Sequence, residues 1–287
     1  FFDCIVANAV MDATHCRGLI LESKSGREFY GADMIVDTTG DADVLFRAGV
    51  PTVQGRNFFT YVGKTVTLES CKAAIEAQNI QKAFGGCSGG GANLYGGKHP
   101  EGMPFFTGTT VEDVNDYLIK NQLLLFSKLK NQERLSREVA MLPTMAQFRT
   151  TRRIDGDYTL TVADQYRHFD DSIGAICDFD QRDFLYEVPY RVLTHKSYDN
   201  IITAGRSAAG DGYAWDVLRV IPPAILTGQA AGLAVAMALN GKQAITDICV
   251  PTLQQKLAAT KVIIHFDDAL IPKPGTDSSV ADNNGHI

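Results

Sequence analysis

Asp199–Asn240 reads DNIITAGRSAAGDGYAWDVLRVIPPAILTGQAAGLAVAMALN, and the order of its pieces decides the fold class. An apolar run over Asn200–Ala204 predicts a short strand that breaks at Gly205. A loop holding Gly210, Gly212, Trp215 and Arg219 follows. A helix then starts at Pro222–Pro223, because proline suits a first turn in which its missing N–H would have had no partner. Ala224–Leu239 carries no charge and is rich in Ala and Gly. That composition predicts a helix buried on nearly all sides, whose small residues let another backbone approach. A strand, a glycine break and a helix whose N-terminus faces the break form a corner suited to a phosphate or a cofactor, since free amides and the helix dipole both favour negative charge there. Two plainer readings compete: an ordinary core helix behind an ordinary strand, and a membrane-helix pair signalled by G-x-x-x-G at Gly228 and Gly232.

The composition narrows these choices. The chain of 287 residues is 45% hydrophobic and 21% charged, as expected of a soluble globular protein with one large or two modest domains. A net charge of −6, with no basic cluster interleaved with aromatics, argues against nucleic acid or an anionic membrane as partner. Cys4, Cys16, Cys71, Cys87, Cys177 and Cys249 show no C-x-x-C spacing, which fits free thiols in a reducing, cytoplasmic setting. The six histidines show no metal-ligand spacing, so no metal site is expected.

Upstream, Phe2–Val10, Arg17–Ser23 and Glu28–Tyr30 predict three short strands of a β-meander. ADMIVDTTGDADVLFRAGVP (Ala32–Pro51) follows, with a buried strand, a turn and Asp41 as a candidate helix N-cap.

Residues Tyr186–Leu239 resemble the C-terminal flavin-binding segment of the FAD-dependent oxidoreductase family, within the glutathione-reductase-like superfamily. The matching pieces are VPYRVL (Val188–Leu193), DNIITAGR (Asp199–Arg206), LRVIPP (Leu218–Pro223) and GQAAG (Gly228–Gly232). The Thr39–Asp41 turn and the R-x-T-R-R-I-x-G-x-Y run from Arg149 resemble the same family. The resemblance implies FAD as cofactor. It places Gly205, Arg206 and the backbone of Arg219, Val220, Ile221 and Pro222 along the ribityl chain and the pyrimidine edge, with Thr39, Gly40 and Asp41 beside the phosphates and ribose. The superfamily normally opens with a strand, G-x-G-x-x-G and a helix, and no such fingerprint precedes residue 32. The expectation is therefore the C-terminal two-thirds of a flavoprotein, either a fragment or one piece of a split protein. Its partners would be a small-molecule substrate and the missing N-terminal segment or a second copy.

Between these regions, Thr67–Gln78 predicts a helix and Thr109–Leu129 a longer one, capped by a Thr109–Glu112 box. Gly85–Gly97 predicts a flexible surface loop. Arg149–Ile154 and Tyr158–Thr161 predict strands about an Asp-Gly turn, with Arg149 and Arg153 on one face and Arg152 on the other. Those arginines either hold an anionic substrate group or the flavin, or pair with Asp155, Asp157 or Asp171. Thr161–Asp164 caps a short helix. Downstream, Thr252–Ala259 predicts a helix, Val262–Phe266 a strand or helix, and Gly275–Ile287 a disordered tail.

The expected fold is α/β: a partial Rossmann-like FAD/NAD(P)-binding domain with a β-meander (1–51 and 186–250), an inserted α+β substrate-side domain (52–185) and a C-terminal helix and tail (251–287). Candidate substrate-side residues are Arg149, Arg153, Tyr158, His195, Tyr213 and Trp215, with His195 or Tyr158 as acid or base. The rival from another class is a non-catalytic flavin-fold module that binds a partner chain or a carbohydrate-like ligand.

Overall fold

The computed structural model describes residues 1–92, 97–178 and 184–272. They form two compact units, one of residues 1–54 and 152–272 and one of residues 55–151. Residues 152–185 therefore stand with the first unit, not with a segment running from 52 to 185. The predicted tail at 275–287 lies outside the described residues.

The first unit opens with an antiparallel meander of β1 (Ile5–Asp12), β2 (His15–Ser23) and β3 (Gly26–Gly31). β4 (Ile35–Asp37) and the short α1 (Asp43–Arg47) follow. The residue before α1 is Ala42 in a left-handed conformation, and the hydroxyl of Thr39 accepts the Asp43 amide at 2.9 Å, so Asp41 is not the cap. β5 (Thr52–Gln54) ends this stretch.

In the second unit β6 (Thr60–Thr67) runs into α2 (Leu68–Glu76), joined by a reciprocal Thr67–Ser70 capping box. β7 (Gly85–Gly91) and β8 (Arg137–Met141) flank β6 in an antiparallel sheet ordered β7-β6-β8. The described part of the glycine-rich run is thus a strand, not a surface loop, and close packing is the reason. A Cβ on Gly89 would lie 2.2 Å from the carbonyl of Asn121, and one on Gly90 would lie 2.5 Å from Phe59. Asn121 belongs to α3 (Val111–Leu129), whose cap is Thr110, accepting the Asp113 amide, in place of the predicted Thr109–Glu112 box. Phe59, Phe106, Tyr117 and Phe148 form this unit's aromatic core.

In the first unit β9 (Arg152–Ile154) pairs antiparallel with β5. The predicted hairpin with Tyr158–Thr161 does not form, because its donors go elsewhere. The amides of Asp155, Asp157 and Tyr158 donate to Pro51, Thr194 and Arg191. The capping box from Thr161 to Asp164 is present on a single 3₁₀ turn. β10 (Ser172–Cys177) pairs antiparallel with β11 (Leu185–Pro189), and β12 (Ile201–Thr203) pairs parallel with β4. Val262–Phe266 is neither strand nor helix, although Ile263 accepts the Ala175 amide of β10 at 2.7 Å.

Three helices complete the unit: α4 (Gly212–Leu218), α5 (Ile221–Gly241) and α6 (Val250–Ala259). By length and composition α5 could cross a membrane. Its buried residues Pro223, Thr227, Ala230, Ala231, Ala234 and Ala238 follow helical spacing along one stripe. Ile221, Ile225 and Gly232 are exposed, and a Cβ on Gly228 or Gly232 would meet nothing within 4 Å. The expectation of burial on nearly all sides, with a second backbone against the glycines, is therefore corrected. Alanine at the buried positions is what lets α5 lie close to the elements beneath it.

Candidate active site

The parallel pairing of β4 with β12 brings their C-terminal ends together, which is where open α/β sheets bind ligands. Both glycine turns named from sequence lie there. After β4, the buried carboxylate of Asp37 accepts the Thr39 amide (2.9 Å), the Thr39 hydroxyl (2.7 Å) and the Leu45 amide (2.9 Å). Gly40 follows at φ +85°, and a Cβ there would sit 2.8 Å from the Arg206 guanidinium. Arg206 holds that turn, donating Nε–H to the Gly40 carbonyl (3.0 Å) and Nη2–H to Asp41 (2.7 Å). The turn after β12 is tied to α5, since the Gly205 amide donates to Thr227 Oγ1 at 2.9 Å. Trp215 Nε1 donates to the Arg206 carbonyl at 2.8 Å.

Arg219, Val220, Ile221 and Pro222 share one cavity of about 890 Å³ at the N-terminal end of α5. Its other walls are Ala175–Cys177 of β10, Leu226 and Gln229 of α5, and the Lys261–Ile263 segment. Pro222 and Pro223 have no amide hydrogen, and the first amide turned into the helix is that of Ala224, donating to Val220. The amides of Val220 and Ile221 find no acceptor among the described residues. The side chain of Arg219, about 10% exposed, gives Nε–H to Asp216 at 2.8 Å, while its buried Nη2 has no hydrogen-bond partner among the described residues. Two free amides, an unspent guanidinium hydrogen and the positive end of a 21-residue helix suit a ligand edge rich in acceptors and negative charge. The pyrimidine edge of a flavin has that chemistry, so the residues present fit the cofactor.

Arg153 is buried beside Trp215 of α4. Its guanidinium lies 5.7 Å from the centre of the Trp215 ring, Nη1 donates to the Ile154 carbonyl, and Nε has no partner among the described residues. Burial pulls its pKa down, against the opposing pull of Asp211 and Asp155. Arg152 bonds the Asp41 carbonyl and pairs with Asp43 at 2.7 Å, not with Asp155, Asp157 or Asp171, and Asp171 pairs with Arg191. Sequence reasoning gave Arg152 no place at this turn, and it missed Asp37 and Thr227 altogether.

Other candidates are not brought together here. Arg149 precedes β9 and belongs to the 55–151 unit, where Asn57 accepts its amide, so it shares no strand face with Arg153. Tyr158 donates to Asp164 at 2.6 Å and receives Arg167 at 3.2 Å. Burial and the Asp164 carboxylate push its phenol up to about 12, which keeps it protonated and removes it as a base near neutrality. His195 lines a different cavity, of about 640 Å³, with Asp157, Asp171, Arg191 and Lys196. Tyr213 gives its hydroxyl to Asp178 and packs edge-on to Phe184.

No curated protein and no solved structure gives a match to the chain. A family model described as FAD dependent oxidoreductase matches residues 1–85 and 106–257, which include both glycine turns, Arg153, Arg219 and the whole of α5. With that match over most of its length, the chain belongs to the FAD-dependent oxidoreductase family, enzymes whose redox cofactor is FAD.

Proposed function

We propose that the cavity at the N-terminal end of α5 receives the pyrimidine edge of FAD, and that a small-molecule substrate is oxidised or reduced beside it. The observation that carries this is that one cavity is lined by Arg219, Val220 and Ile221, which among the described residues leave two amides without an acceptor and a buried Nη2 without a partner. Bound flavin supplies the hydride or electron chemistry. The chain's own residues hold and orient. The dipole of α5 and the Arg219 cation stabilise negative charge at the ring edge. Ile176, Leu226, Val262 and Ile263 exclude water, which strengthens those interactions. The Thr39–Asp41 turn and Gly205–Arg206 lie along the ribityl and phosphate portion, and Arg153 with Trp215 stands on the substrate side. His195, Tyr158 and Arg149 take no part in this assignment.

In the same reading, residues 1–54 and 152–272 make a partial Rossmann-like domain, and residues 55–151 are the substrate-side excursion from it. The chain leaves in β5 and returns in β9, its antiparallel partner, which supports this division. The six unpaired cysteines support a reducing, cytoplasmic setting. The acidic net charge supports a partner other than nucleic acid or an anionic membrane.

The test is a titration of the purified chain with FAD, followed by loss of flavin fluorescence and the rise of bound-flavin bands. It compares the wild type with an Asp216→Asn/Arg219→Gln double variant that keeps a neutral pair within α4 and the turn after it. Loss of one charge-assisted bond of about 1.5–3 kcal/mol predicts roughly 10- to 150-fold weaker binding by the variant. Equal affinity in the two proteins would overturn the assignment.

A further inference from the structure

None of the residues of a second cluster lines the α5 cavity, and none of the chemistry above uses it. Glu187 of β11 is fully buried, and its carboxylate meets two imidazoles. His168 Nδ1 is 2.5 Å from Oε1, and His265 Nδ1 is 3.0 Å from each oxygen. The Phe169 amide donates to Oε2 at 2.8 Å. On the far side of the His168 ring, Nε2 is 2.7 Å from Asp268 Oδ1. The three inner ligand atoms all lie within 4.8 Å of one another. Residues 168, 187 and 265 are too scattered in sequence to form a spacing motif.

We propose that His168 Nδ1, His265 Nδ1 and Glu187 hold one divalent cation of the zinc class, with Asp268 as the outer carboxylate that orients His168.

Lone-pair accounting leads to this. With Nε2–H given to Asp268, a neutral His168 turns the bare lone pair of Nδ1 toward a buried carboxylate oxygen. Something positive must stand between them, either a proton or a metal ion. Geometry favours the metal: two imidazole nitrogens from separate segments converge on a fully buried carboxylate, with the ligand atoms within 4.8 Å of one another. A divalent cation among them satisfies both ring nitrogens and the carboxylate together.

The donor set selects the ion class. Two imidazole nitrogens and one carboxylate suit zinc, cobalt or nickel, whereas magnesium and calcium prefer an all-oxygen shell. Metal bonds of about 2.0–2.1 Å in a tetrahedron place ligand atoms about 3.3 Å apart, so the His168–Glu187 contact must open by about 0.8 Å and the His265–Glu187 contact by about 0.3 Å. The imidazoles can give, since their side chains are 43% and 49% exposed, while Glu187 is fixed by burial. Phe266, stacked on the His168 ring at 4.3 Å, keeps that ring in plane, and an outer carboxylate on a ligating histidine completes the usual arrangement. Water takes the fourth position from the open side.

The consequence is structural. Glu187 is the register partner of Ala175 in β10, whose amide donates to Ile263, and Ser172 donates to Ile264. A metal at Glu187 and His265 fastens the 261–268 segment to the β10–β11 sheet, and Lys261–Ile263 is one wall of the α5 cavity.

Tag-free full chain, stripped with chelator and free of flavin, is titrated calorimetrically with zinc sulfate, and with magnesium sulfate as control. One zinc per chain is expected, with proton release that grows as the pH falls toward the histidine range, a raised thermal midpoint, and no magnesium binding. A His168→Ala/His265→Ala variant should lose the stoichiometric site, and Asp268→Asn, at an exposed position, should bind about 10- to 100-fold more weakly. Zinc uptake by the double variant equal to that of the wild type, unchanged affinity in Asp268→Asn, or no zinc binding by the wild type overturns the site. Because flavin is absent from the titration, its failure leaves the FAD assignment standing, and the reverse also holds.

Discussion

Replacing Asp37 with asparagine should destabilise the first unit by about 2–4 kcal/mol, although the two side chains have the same shape. Asp37 is 1% exposed and accepts three hydrogen bonds, from the Thr39 amide, the Thr39 hydroxyl and the Leu45 amide. Both Thr39 bonds fall on Oδ1 and the Leu45 bond on Oδ2. An asparagine keeps one acceptor oxygen, so its NH₂ must face either Thr39 or Leu45. Keeping the oxygen on Thr39 strands the amide of Leu45, a residue with no exposure, and turning it to Leu45 forfeits both Thr39 bonds, so either orientation loses a native partner. A stranded buried amide costs about 1–3 kcal/mol, and the two surviving bonds weaken from charged to neutral by about 1 kcal/mol each. Relief of the buried charge offsets part of that sum. With a urea slope of about 2 kcal/mol/M, the midpoint should fall by roughly 1–2 M. Trp215, the chain's single tryptophan, is buried in this unit, so its fluorescence reports the transition directly. Asp33→Asn, at an exposed position, is the control. A midpoint for Asp37→Asn within about 0.3 M of the wild type would refute the idea that this carboxylate builds the turn.

Thr227→Val keeps the shape of a fully buried side chain but removes the acceptor of the Gly205 amide; a loss of about 1–3 kcal/mol in the same urea experiment is expected, with faster hydrogen exchange at Gly205. Gly40→Ala should cost more than Gly26→Ala. Both have positive φ, at about 1–2 kcal/mol of backbone strain, but only at Gly40 does the new methyl strike Arg206, so FAD affinity should fall there alone. Tyr117 is held by burial with its phenol pushed up to about 12, its hydroxyl donating to the Thr60 carbonyl. A phenol pKa raised on folding adds stability that is present below the unfolded value of 10 and is lost as pH rises from 10 toward 12. Above pH 10 the circular-dichroism urea midpoint should therefore fall more steeply for the wild type than for Tyr117→Phe, and parallel slopes would contradict it.

What could be read from sequence was whatever rests on local chemistry. Strand, glycine break and proline-led helix were legible in Asn200–Pro223 because each is a backbone preference of its own residues. The meander and the Thr161–Asp164 box were legible for the same reason. The errors fall where a distant partner decides. Gly85–Gly91 looks like a loop until Asn121 and Phe59 are seen to need the space a Cβ would fill. Tyr158–Thr161 has a strand's composition, yet its neighbours' amides are claimed by Thr194 and Arg191. Asp37 is one acid among many in sequence, and only the fold delivers the Leu45 amide to it. The alanine-rich α5 is apolar all round, so periodicity could not reveal that only one stripe is covered.

The site follows from one pairing. Because β4 and β12 run parallel, the turns that follow them emerge at the same edge, and Gly40 and Arg206, 166 residues apart, come within hydrogen-bond reach. The Arg206–Asp41 pair is about a quarter to a third exposed, so it contributes less than about 1 kcal/mol and cannot be what holds the edge together. That work falls to Ile35, Ile201 and Ile202, each at most 5% exposed and each contributing about 1.5–3 kcal/mol by burial. Arg206 sets position instead, and Thr227 carries that position into α5 through Gly205. Stability and cofactor geometry are therefore separable: Ile202→Val should lower the urea midpoint while leaving FAD affinity per folded molecule unchanged, whereas Arg206→Lys should do the opposite. If both variants moved both measurements in proportion, the turn pair would be a passive part of the core, and its place beside the flavin would lose its support.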